Sequence, residues 1–413
     1  MLVWIVIVAV VARWATQIVL GRLNRRRALS LAGRVPESLR EVMDEATYRK
    51  SLEYTLSKSK LAEAEATLDA AILLAVLFSG FLPWASTRWH RIAGSGVGAA
   101  AGFLFIIGVS LSIPGLPVEW YHQFRLEERF GFNTTTQKLW WLDRIKGLLL
   151  ALLLGYPLLV LVLKIVDWTG SLWWLWAWAA LILFQFIVAL LAPVVILPLF
   201  NKFTPLPEGT LKDRLLALAG RTRFHARSIQ VMDGSKRSRH SNAFFIGFSK
   251  FRKIVLFDTL ISQLAEPELE AVLAHEIGHF KKRHVPKRLL FSAITSLGAL
   301  YLVSVLAQQS WFYRAFGFEP GDISVAFLLF GLLSAAVTFW FSPLSHWWSR
   351  KHEYEADRFA AVTMQEPASL LGALRKLHEK NLSNLVPHPA YSGFYYSHPT
   401  LPEREAALKA NNL

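Results

Sequence analysis

Seven stretches of the chain are apolar for long enough to cross a bilayer, near 2–20, 68–86, 97–116, 147–166, 172–199, 289–308 and 323–345. A crossing helix needs about 20 such residues, so each stretch predicts a transmembrane helix. Polar connections of unequal size separate them. Segments 21–67, 117–146, 200–288 and 346–413 are long, whereas 87–96, 167–171 and 309–322 are short. The first run holds Arg13 and the fourth holds Lys164. Lys164 lies near a helix end and reads as a snorkelling side chain. Arg13 lies deeper and is expected to face the bundle interior or a wet cavity. The opening "MLVWIVIVAVVARWATQIVL" has no positive charge ahead of its apolar core. It therefore reads as a retained first span rather than a signal peptide.

The long segments carry folded patterns. In 200–288, "SIQVMDG" (228–234), "NAFFIGF" (242–248) and "KIVLFDTLI" (253–261) are rich in β-branched and aromatic residues and predict strands. "AEPELEAVLAHEIGHF" then starts a helix, with Pro267, Glu268 and Glu270 suited to its first turn. Segments 21–67 and 352–380 read as amphipathic helices. No internal repeat or low-complexity tract interrupts them.

Composition sharpens this picture. The chain is 53% hydrophobic with mean hydropathy +0.34, too apolar for an ordinary soluble protein. Its 16 Trp are a residue type that collects at membrane interfaces. The net charge of +15 points to anionic lipid before nucleic acid, so no nucleic-acid partner is expected. Forty of the 45 lysines and arginines lie in the four long segments and three in the short ones. That asymmetry predicts an N-terminus outside and the long segments in the cytosol. Segments 200–288 and 346–413 then lie on one side and can build one site. The absence of Cys excludes disulfides and thiolate metal sites, so a transition metal must be held by His and carboxylates.

The candidate chemistry is in "AVLAHEIGHF" (271–280). His275 and His279 are i, i+4 and project from one helix face. Two imidazoles so spaced can grip one zinc ion, and Glu276 beside them can take a proton from the acidified water. The competing view is a helix with two incidental histidines. A catalytic zinc needs a third protein ligand. "WSRKHEYEADRFAAVTM" (348–364) reads as a helix on the same side, with Glu353 and Asp357 sharing a face. Taken alone, that pattern more often marks a solvated charged face.

With "HEIGHFKKRH" and "SRKHEYEADRFA" both in view, the sequence resembles the type 1 CAAX prenyl proteases, integral-membrane zinc metallopeptidases. "RLEERFGFNTTT" (125–136), "PLFNKFTPLPEG" (198–209), "RHSNAFFIGF" (239–248) and "SHPTLPERE" (397–405) resemble segments of that family in the same order. The resemblance implies that His275, His279 and Glu353 hold one Zn2+ per chain and that Glu276 is the catalytic base. It implies that Asp357 orients a ligand imidazole. His398, in the S-H-P motif, would help hold substrate or oxyanion, and Arg404 would clamp the C-terminal segment. The family's seven spans enclose a water-filled chamber. Phe244 stands where Tyr is common and Phe280 where Trp is common. The chain is shorter than eukaryotic members and ends in "KANNL" without a retention signal, which suggests a bacterial inner-membrane protein.

Other residues are less telling. Asn242, Ala243 and Phe244 head a segment to Phe248 that is either an edge strand pairing with substrate or an ordinary core strand. His284 falls off the metal-binding face and reads as solvated or capping. His240 reads as a polar loop residue, and the charges of "RLEERFGFN" as a structural network rather than a gate. The basic runs "KKRHVPKR" and "FRK" are expected to face lipid phosphates.

The resulting expectation is a mainly α, polytopic membrane protein. Seven transmembrane helices enclose a chamber, with a small α+β zinc-metalloprotease domain on the cytoplasmic side. Residues 1–199 would hold the first five spans, 200–288 the metalloprotease segment, 289–345 the last two spans, and 346–413 the segment that completes the zinc site. Its substrates would be peptides or membrane-protein segments. Alternatives are a quality-control protease of the membrane, or a non-catalytic transporter or receptor. No oligomer is implied.

Overall fold

The computed structural model describes residues 1–32, 35–37, 40–246 and 252–410. The first apolar run forms the helix Leu2–Ser30. The second run falls on two helices, Glu45–Phe78 and Phe81–Ala93, bent by 60°. The bend lies at Ser79–Gly80, where Gly80 has φ 78. Glycine enters that left-handed region without a Cβ clash. The stretch 68–86, read from sequence as one span, is therefore bent within its length.

The third run is the helix Val97–Ser112. The fourth and fifth lie in one helical stretch of 64 residues, Gln137–Phe200. Straight, that stretch would run about 96 Å, roughly three bilayer cores. It instead folds back at Gly170, whose φ is 60. Leu159 and Val162 before the fold and Ala177 and Leu181 after it line one apolar cavity of about 420 Å³. The sixth run is His284–Leu306. The seventh is Ile323–Thr338, which passes through a short turn at Phe339–Phe341 into Ser342–Met364. Among the described residues, five helical stretches are long and apolar enough to cross a membrane, or six with the bent pair.

The bundle core is built from Val6, Val10, Leu82, Phe103, Ala177, Tyr313, Ala326 and Leu329. Its outer face shows Leu153, Leu183, Val194, Leu290 and Phe341, all exposed, as a lipid-facing surface should. Arg13 turns inward, with its guanidinium carbon 5.8 Å from the Phe339 ring centroid. Lys164 reaches over Trp168, toward the end of its helix, as snorkelling predicts.

Four strands form the small sheet: β1 Phe203–Pro205, β2 Ser228–Met232, β3 Ala243–Ile246 and β4 Lys253–Phe257. The order is β1-β2-β4-β3. β2 and β4 are parallel, and the outer pairs are antiparallel. β3 is thus an edge strand. The positions Gly247 and Phe248 of the predicted 242–248 strand lie outside the described residues. β1 was not predicted, and the predicted 253–261 strand ends at Phe257, with Asp258–Gln263 helical.

One apolar core unites this sheet with helices from distant parts of the chain. Leu215, Ile254, Leu256, Leu269, Leu273, Ile277, Ala360, Ala361, Leu370, Leu401 and Leu408 are all buried in it. Val42, Met43 and Tyr48 join from the segment after the first helix. Buried residues between 206 and 277 and between 360 and 408 therefore share one core.

Candidate metal centre and active site

Two helices present the site. The helix Glu266–Lys281 carries His275, Glu276 and His279, and Ser342–Met364 carries Glu353, Glu355 and Asp357. The first starts as its sequence demands. Pro267 lies in its first turn, and the Glu268 carboxylate accepts from Ala265 N–H at 2.8 Å. Its inner face, Leu269, Leu273 and Ile277, is fully buried, which fixes the rotation that turns both histidines toward the second helix.

Three ligand-type side chains converge. The His275 and His279 Nε2 atoms lie 3.1 Å apart. Glu353 Oε2 is 3.4 Å from the first and Glu353 Oε1 is 3.5 Å from the second. All three ligand atoms fall within 4.8 Å of one another. His275 and Glu353 are buried, and Glu353 Oε2 has no hydrogen-bond partner among the described residues. A buried carboxylate oxygen without a partner is costly unless a cation faces it. The donor set of two imidazoles and a carboxylate suits zinc. The residues present therefore fit a divalent ion.

The surroundings set the ligand protons. Asp357 Oδ1 accepts from His275 Nδ1 at 2.8 Å, which leaves Nε2 as the lone-pair nitrogen. Buried Arg404 donates its Nε to Asp357 Oδ2 at 2.7 Å, with a second bond to Oδ1. Burial opposes protonation of His275, but the carboxylates of Asp357 and Glu353 beside it outweigh that and raise its pKa. Burial, with His275 alongside, holds His279 well below the ordinary histidine range. Burial also lifts Glu276 above the usual carboxylate value; Glu353 adds to this, against His275 and Arg404. A raised carboxylate pKa suits a general base.

His398 completes the cluster. Its Nε2 is 3.5 Å from Glu353 Oε1, and 65% of its side chain is exposed. It lines a cavity of about 600 Å³ that also touches Lys58, His240, Asn381, Tyr391 and Tyr396. His398 therefore stands between Glu353 and this cavity. Just ahead of β3, Asn242 bonds across to β4, its carbonyl accepting from Phe257 N–H at 3.1 Å. By antiparallel alternation, Ala243 and Phe245 turn their backbone groups outward. The Ala243 N–H is taken up by the Asn242 side chain at 2.8 Å.

Residues 205–412 match the family model described as Peptidase family M48, and residues 25–202 match the CAAX prenyl protease N-terminal model with five membrane helices. The chain belongs to peptidase family M48. It is similar to CAAX prenyl protease 1 of Saccharomyces cerevisiae, 37% identical over 91% of this chain and 88% of that one. The Homo sapiens CAAX prenyl protease 1 homolog is 31% identical over 94% of this chain and 91% of its own length. The crystal structure of S. mikatae Ste24p superposes with a TM-score of 0.91 at 35% identity, covering 98% of each chain. This M48 protein is thus a multi-pass membrane metalloendopeptidase, mainly helical with a small mixed sheet, as its sequence led one to expect.

Two groups in this M48 protein escaped the sequence reading. His284, read as solvated or capping, is buried, with its Nδ1 2.9 Å from His279 Nδ1. Helical projection could not show this, because the metal helix ends at Lys281 and Arg283 turns the chain at φ 55. His240, read as a loop residue, bridges Asn381 at 2.8 Å and Glu127 at 3.2 Å. Glu127 also accepts from Tyr54 Oη at 2.6 Å. These bonds support the structural-network reading of "RLEERFGFN".

Proposed function

We propose that the peptidase uses one zinc ion held by His275, His279 and Glu353. The observation that carries this reading is the buried Glu353 carboxylate facing both Nε2 atoms. A zinc ion bound there supplies an acidified water and polarises the scissile carbonyl. Glu276 accepts the proton of the attacking water and delivers it to the leaving amine. His398, exposed to the cavity beside Glu353, hydrogen-bonds the developing oxyanion. Asp357, anchored by Arg404, holds His275 in the tautomer that offers Nε2. An extended substrate adds to the free edge of β3 at Asn242, Ala243 and Phe244, through main-chain bonds that tolerate many sequences.

The substrates we infer are peptides and membrane-protein segments. The names of the relatives support prenylated C-terminal tails as one such class. We also infer seven crossings: the bent pair counts as one and the stretch folded at Gly170 as two. The N-terminus is outside and the site is cytosolic, in keeping with the lysine and arginine asymmetry.

The test is the Glu276→Gln variant of the purified protein, with and without chelator. Metal content should match the wild type while cleavage of a reporter peptide disappears. Undiminished cleavage by this variant would remove Glu276 from its role. The same inactive form, expressed in native membranes, should retain bound substrates for identification.

A further inference from the structure

The second ligand histidine has a brace of its own. His279 Nδ1 lies 2.9 Å from His284 Nδ1, and His284 Nε2 lies 3.1 Å from Glu355 Oε2. His284 is 2% exposed, and its ring stacks on His352 at 3.9 Å with an interplanar angle of 11°. Ring rotation is therefore blocked on one face by His352, which precedes the ligand Glu353 on the same helix.

The chemistry of these four atoms allows one proton arrangement that serves a metal. An ionised carboxylate only accepts, so His284 must donate through Nε2 to Glu355. Neutral His284 is then an acceptor at Nδ1. His279 must donate its Nδ1–H there, which leaves its Nε2 bare and pointing at His275 and Glu353. If the His284–Glu355 pair is reversed or removed, the Nδ1–Nδ1 contact no longer dictates which nitrogen of His279 carries the proton.

We propose that His284 and Glu355 are positioning residues that fix the tautomer and orientation of His279. They match on the second ligand what Asp357 and Arg404 do for His275. One helix then supplies the ligand carboxylate, Glu353, and the outer carboxylate of each brace, Glu355 and Asp357. This inference rests on the reading of His279 as a metal ligand.

The test measures metal affinity rather than activity. Wild-type, His284→Phe, His284→Asn and Glu355→Leu proteins are purified in detergent, stripped with chelator and titrated with Co2+, followed by its visible absorption. The Asn variant offers Oδ1 as an acceptor where His284 offers Nδ1, whereas the Leu variant offers His284 no acceptor. We expect His284→Phe to weaken Co2+ binding by about 10–100-fold and Glu355→Leu by about tenfold, with His284→Asn within about threefold of wild type. Equal weakening in Asn and Phe, or wild-type affinity in Glu355→Leu, overturns the proposal. The Glu355 side chain is 32% exposed, so that variant decides the matter even if His284→Phe does not fold. Wild-type protein that binds no Co2+ would remove the metal reading itself, whereas normal wild-type binding with unaltered variants removes only the brace.

Discussion

Gly278 faces Ala356 so closely that a Cβ built on it would lie 3.0 Å from the Ala356 Cα and 3.1 Å from its carbonyl oxygen. The two helices of the site cross at this point, and Ala356, Ala360 and Ala361 are fully buried along the contact. The clash would be with backbone, which cannot swing aside as a long side chain can. Small residues at this crossing are what bring Glu353 within reach of both histidines. Gly278→Ala is therefore expected to force the helices apart, costing about 1–3 kcal/mol of stability. Metal affinity should fall with it. A variant with wild-type thermal midpoint and wild-type Co2+ affinity would show that the close approach is not needed.

Asp357 and Arg404 make separable contributions. Asp357→Asn leaves a buried guanidinium unpaired, a change that costs about 3–5 kcal/mol. It also replaces the carboxylate that fixes His275 with a neutral amide that can present either its oxygen or its NH2 to Nδ1, which should weaken metal binding by about 10–100-fold. Adding Arg404→Met to Asp357→Asn should restore part of the stability and none of the metal affinity. Recovery of both would mean that Asp357 acts only as the partner of Arg404.

For His398 the expected signature is kinetic. It meets the site beside Glu353, it lines the cavity, and most of its side chain is exposed. His398→Ala should keep stoichiometric metal and lower kcat by about 10²–10³, with KM little changed. Loss of the metal in this variant would make His398 a ligand rather than an oxyanion donor.

Much of this arrangement was legible in the sequence because its signals are local. Helix-length apolar runs and the i, i+4 spacings of His275/His279 and Glu353/Asp357 depend on one helix each. What stayed hidden depends on breaks and on distance. β1 is three residues long and ends in Pro205, too short for any periodicity to register. Asp258–Gln263 is six residues long, too short for helical periodicity to register. The 68–86 run keeps its hydropathy across Gly80 while the backbone bends. His284 meets His279 only because the chain reverses at Arg283. His240 finds Glu127 across 113 positions, and no local pattern reports such a contact.

The membrane orientation is open to direct chemical mapping because the chain has no Cys. A single cysteine inserted after Met1 should react with a membrane-impermeant maleimide in intact cells. Lys409→Cys, at a side chain 65% exposed near the other end, should react only after permeabilisation. The reverse pattern would invert the orientation, and labelling of both sites from outside would refute an odd number of crossings.

The central claim is that His275, His279 and Glu353 share one ion, and anomalous diffraction at the zinc absorption edge tests it most directly. Crystals of the purified protein should show one strong peak, at about 2.0–2.1 Å from both Nε2 atoms and about 2.0–2.2 Å from a Glu353 oxygen. A zinc peak elsewhere in the chain, with these three side chains facing only each other or water, would contradict the account.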